Sequence, residues 1–147
     1  MNLSGEPEIY EEVVINGNLK IPEEKPLMEK LLGYNLDFNI TKAKVIGTPL
    51  VTDDEPPLPI RKVIINGEAK ISIKYSALVE EQTVHGAHFN VPFEQIIHWP
   101  GGPIPDIPLC VEVFEEYVQI VGLDEQYLSK VLVIQLGVSK NKEGGEN

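Results

Sequence analysis

Cys110 is the only cysteine in 147 residues, which excludes an intrachain disulfide framework. Basic residues are scarce, 12 Lys and Arg against 23 Asp and Glu, for a formal charge of -11. That balance argues against nucleic acid, whose phosphates it would repel, and against anionic lipid surfaces. No apolar run approaches the length of a membrane span, and MNLSGEPEIY has neither the basic start nor the apolar core of a secretory signal. The glycines form no phosphate-cradling loop, and PGGP at 100–103 reads as a turn. Ser4, Ser72, Ser76, Ser129 and Ser139 lie in no nucleophile elbow, and no EF-hand spacing is present.

What is present is a globular composition, 42% hydrophobic with a mean hydropathy of -0.08. A chain of this length forms one domain that buries roughly two thirds of its unfolded surface. The period of two is its main signal. In VIINGEAKISIKY, residues 63–75, a hairpin at Asn66-Gly67 would oppose Ile65 to Glu68 and Val63 to Lys70, mixing apolar with polar across the pair. Reading straight through instead places Val63, Ile65, Ala69, Ile71, Ile73, Tyr75 and Ala77 on one face. VVINGNLKI at 13–21 behaves alike, with Val13, Ile15, Leu19 and Ile21 facing in. Both are long strands, and Gly17 and Gly67 are bends, bulges or close-packing points. The flanks of the two copies differ, so convergent strand patterning is preferred to a duplication.

IPEEKPLMEKLLGY predicts the one short helix, over residues 26–32, with Pro26 in its first turn, Leu27, Met28, Leu31 and Leu32 on one face and Gly33 closing it. NLDFNITKAKVIG, an acidic Pro-rich loop TPLVTDDEPPLP, the strand segment QTVHGAHFNVPF with Phe89, Val91 and Phe93 on one face, LCVEVFEEYVQIVG and YLSKVLVIQLGVSK follow. Many strands and turn signals predict a mainly β protein, an antiparallel β-sandwich. The expected organisation is an extended arm at 1–7, one domain at 8–139 and a polar tail at 140–147.

Chemistry is sparse. His85 and His88 differ by three positions and fall on opposite faces of a strand, so no metal site is expected there. His98 and Trp99 precede the Pro-Gly loop and read as an aromatic lid on the sandwich end. Cys110, with no basic residue near it in sequence, reads as a packed thiol. Acidic pairs and the run Asp53, Asp54, Glu55 read as a solvated surface; calcium bridging between subunits is the sharper alternative. No catalytic residue, cofactor or metal ligand is assigned.

NLKIPEEKPLMEKLL, VIINGEAKISIKY, FNVPFEQII and VEVFEEY, in that order, resemble the SPOCS domain of spore-coat assembly proteins from endospore-forming Firmicutes. The matching features are Ile21-Pro22, Lys25-Pro26, Gly67 with Tyr75, and Val91-Pro92-Phe93, and the resemblance covers about residues 8–139. It implies sporulation, coat morphogenesis and protein–protein assembly, with no known catalytic residue. Coat-assembly members usually carry a LysM module that helps recruit partners; none follows here through Asn147, so their partner contacts are not carried over.

The expectation is therefore a non-enzymatic structural protein that assembles with itself, as a filament or ring subunit, or with other coat-type proteins. A ligand- or calcium-binding sandwich module is the alternative. The spore coat, the mother-cell cytoplasm or a cell-surface assembly is the expected location. The expected contact is an amino-terminal arm that adds a strand to a neighbour's sheet edge, with Leu3, Ile9 and Tyr10 as its interface residues.

Overall fold

The computed structural model describes residues 6–141. They form six strands and no helix: β1 (Ile9–Lys20), β2 (Met28–Ile46), β3 (Ile60–Ala77), β4 (Val84–Pro100), β5 (Leu109–Gly122) and β6 (Tyr127–Lys140). These make two antiparallel three-stranded sheets, ordered β1-β6-β5 and β2-β3-β4, whose inner faces share one hydrophobic core. The first strand pairs along its whole length with the last, from Ile9 opposite Val138 to Lys20 opposite Tyr127.

The long strand through Asn66-Gly67 is continuous, as its alternation requires. Val63, Ile65, Ala69, Tyr75 and Ala77 are fully buried, while Lys70 and Lys74 point outward. Each large apolar side chain so buried contributes about 1.5–3 kcal/mol. Gly67 is a close-packing point. It lies opposite Phe93 on β4, whose ring covers it so tightly that an added Cβ would stand 2.6 Å from Phe93 Cζ and 3.0 Å from the Asn39 carbonyl. The absent side chain makes room for the aromatic ring.

The predicted helix at 26–32 does not exist; Met28 begins a 19-residue strand. Register shifts between Met28 and Lys30, Leu31 and Gly33, and Ile40 and Lys42 each insert one extra residue into β2. Met28, Leu31 and Tyr34 consequently all oppose inward-facing residues of β3, at a spacing of three that imitates a helical stripe. Leu27 and Leu32, assigned to the same helical face, are exposed. Pro26 sits in the crossover between the sheets, just after a turn closed by Lys25 N–H donating to Pro22 O, and its carbonyl accepts a 2.8 Å hydrogen bond from the buried Tyr75 hydroxyl. The ends of that crossover are fixed by Ile21 N–H donating to Gln126 O and Met28 N–H donating to Glu125 O.

Trp99 closes one end of the core beneath the turn at 100–103. Its ring is buried, Gly102 N–H donates to its carbonyl, and Arg61 Nε donates to Pro103 O at 2.9 Å. His98 faces the other way, so the lid is the tryptophan alone.

Among the described residues, one buried side chain carries a charge. Lys130 on β6 faces Gly17 and Ile120 and is only 5% exposed. Gly17 has φ +129°, and its bare Cα leaves the space into which Lys130 Nζ reaches to donate to Asn16 O at 3.2 Å. Burial holds the lysine below its ordinary value of 10.5 because the charged form is poorly solvated.

Gly67→Ala must displace the Phe93 ring or the Asn39 backbone, and denaturant unfolding should show a loss of about 1–3 kcal/mol. For Lys130, the unfolded chain binds more protons than the native one between the lowered pKa and the ordinary value. Native stability should therefore rise with pH through that window, relative to Lys130→Met, which has no such proton to lose. Urea midpoints of the two proteins between pH 7 and pH 10 check the sign; a difference that does not change with pH is incompatible with it.

Candidate interaction surfaces

The proposed arm residues are separated by the fold. Leu3 lies outside the described residues. Ile9 pairs with Val138 and packs against the core, whereas Tyr10 points outward and lies 6.2 Å from the ring of Phe114. The segment just before them is already held by its own sheet. Glu8 N–H donates to Val138 O at 2.8 Å, Lys140 N–H donates to the Glu8 carboxylate at 3.2 Å, and Pro7 lies over Gly137, within 2.8 Å of where a Cβ would stand. Of the three expected interface residues, Tyr10 is the one that the described structure leaves on a surface.

The histidines do fall on opposite faces. His85 opposes inward-facing Tyr75 and its ring nitrogen meets Thr83 Oγ1 at 2.9 Å; His88 opposes outward-facing Ser72 and meets its Oγ at 2.8 Å. Cys110 is half-buried beside Ser139. Around Asp53, Asp54 and Glu55, the loop is shaped by Thr52, whose hydroxyl accepts from Asp54 N–H and Leu58 N–H, and by a bridge between Val51 and Pro59. Among the described residues, no three His, Cys, Asp or Glu side chains converge as metal ligands would.

Concavities are shallow and open. One of about 440 Å³ runs along the seam between edge strands β2 and β5, lined by Leu36, Phe38, Ile40, Val111, Val113 and Glu115. Another, of about 420 Å³, lies between Leu32, Asn35, Lys74 and His88. The second also takes in Ser72, whose Oγ lies 2.8 Å from His88 Nδ1 beside Lys74, in an open and exposed setting.

The two outer faces differ more than any pocket does, and sequence periodicity did not separate them. On the β1-β6-β5 sheet, Val14, Val133 and Tyr117 form one apolar row across all three strands. Glu12, Gln135 and Phe114 form the next row, and Tyr10, Gly137 and Glu112 the one beyond. Val14 is 57% and Tyr117 51% exposed. Lys20, the lysine that register puts on this face, is paired with Glu23 at 3.1 Å. That hydrogen bond, together with the nearby acidic charge, raises its pKa above the ordinary 10.5.

The β2-β3-β4 sheet presents the opposite sign. Lys30, Lys42, Lys44, Lys62, Lys70 and Lys74 occupy outward register positions, against Asp37, Glu68 and Glu94. Lys44, Ile64 and Ile96 form a row, with Ile96 51% exposed. The signal was present in the sequence as the polar half of each alternating strand, but only strand order assembles these residues into faces.

A family model described as SipL, SPOCS domain matches residues 27–122, 96 of the chain's 147 residues. No curated protein and no solved structure matches the chain. The matched segment takes in the whole β2-β3-β4 sheet and strand β5, with β1 and β6 outside it. With the ordered strand motifs and this match in agreement, the chain belongs to the SipL SPOCS-domain family.

Proposed function

We propose that this protein is a non-enzymatic structural subunit of the endospore-coat type that assembles with copies of itself. Family membership supports the sporulation-related role. The observation that carries self-assembly is the apolar row Val14, Val133, Tyr117, continued by Phe114 and Tyr10, on an outward sheet face. Scattered exposed apolar residues are ordinary, but a contiguous set rimmed by charge marks an interaction surface. Strands β1, β5, β2 and β4 add sheet edges whose backbone groups are open to further pairing.

Other coat-type proteins are further partners in this reading, and the coat, the mother-cell cytoplasm or the cell surface is the place of assembly. Ile9 contributes to the domain core, and Pro7 and Glu8 are committed to the chain's own sheet. Arm exchange between subunits is thereby narrowed to residues before Pro7.

Sedimentation velocity and negative-stain microscopy of the full-length protein, over a hundredfold range of concentration, test the proposal. Ordered oligomers or polymers are expected, unchanged by chelator because direct packing joins the subunits. A monomer throughout the range would refute self-assembly, and dissolution by chelator with recovery in calcium would replace direct packing with metal bridging.

A further inference from the structure

We infer that copies of the chain join heterologously, the outer face of the β1-β6-β5 sheet of one subunit lying on the outer face of the β2-β3-β4 sheet of the next. This rests on the self-assembly reading and names its surfaces. Both faces have an apolar row crossing the sheet, Val14–Val133–Tyr117 on one and Ile64–Ile96 beside Lys44 on the other. The first apolar row spans three strands and the second two, with Lys44 holding the third position. Their charged surroundings are of opposite sign. Glu12 stands in the row beside the first and Glu112 one row further, while Lys42 and Lys62 border the second, with Glu94 the one acid in the Lys42 row, hydrogen-bonded to Asn66.

Charge decides between the possible pairings. Two β1-β6-β5 faces together would oppose Glu12 and Glu112 to their own copies, and two β2-β3-β4 faces would oppose lysine to lysine. Like charges juxtaposed at an interface are costly, so each face rejects itself and accepts the other. Lys44 has an exposed partner of its own in Asp106, but at 3.8 Å the pair is long and solvated, leaving Lys42 and Lys62 as the sharper determinants. The two faces lie on opposite sides of one sandwich, so the contact repeats from subunit to subunit. Such a head-to-tail interface closes into a ring or extends into a filament.

Two charge-altering variants of the full-length protein test this. Val14→Lys with Tyr117→Lys alters the first face, and Lys42→Glu with Lys62→Glu alters the second; circular dichroism and thermal melts confirm that each is folded. If the lysines at 14 and 117 prevent folding, Glu12→Lys with Glu112→Lys tests the same face. Each variant alone should need at least a tenfold higher concentration to assemble, and an equal mixture of the two should associate again, because it holds one intact copy of each face. Assembly of both variants at the unaltered concentration would overturn this interface while leaving self-assembly standing. Loss in the first variant but not the second would overturn it in favour of a symmetric contact through the apolar face alone. A monomeric unaltered protein would remove the self-assembly reading itself, and this interface with it.

Discussion

The rest of the structure depends on the burial of one face of β3. Val63, Ile65, Ala69, Ile71, Tyr75 and Ala77 are enclosed along a single strand paired on both sides. A slip of one residue in either pairing would carry these side chains to the opposite face, so their burial fixes the register of β2 and β4 together. Gly67 and Phe93 pin the same register at its middle, because the ring fits only where the side chain is missing. Once the inner face is set, the outer one follows: Lys62, Lys70 and Lys74 can only point to solvent.

The second sheet answers to the same logic with a different outer face. Its central strand β6 buries Leu128, Leu132, Ile134, Leu136 and Val138 inward, and presents Val131 and Val133 on the outside. β-branched residues there support the strand but leave a face less polar than solvent favours. The sandwich therefore has two unlike outer faces, and an unlike pair is what a repeating contact uses. The SPOCS family to which the chain belongs is sporulation-related.

Much of the fold was legible in the chain. The strand through Asn66-Gly67 could be read because its alternation runs unbroken, and β5 and β6 begin and end where LCVEVFEEYVQIVG and YLSKVLVIQLGVSK do. The error at 26–32 has a physical cause. Bulges in β2 changed an inward spacing of two into a spacing of three, and a local pattern cannot tell a bulged strand from a short helix. Of the interface residues read from sequence, Tyr10 reached a surface, whereas Ile9 was drawn into the core by its pairing with Val138, more than a hundred positions away.

The sequence by itself determined that the chain is β-rich, which side chains of each regular strand turn inward, and which family it resembles, because these are written in local periodicity and in the order of short motifs. Only the tertiary structure decided that β1 lies beside β6, that β2 is bulged, and that most outward lysines share one sheet while Tyr10, Phe114 and Tyr117 share the other. Strand order is set by which partners bury the most apolar surface together, a property of the whole chain that no local stretch records.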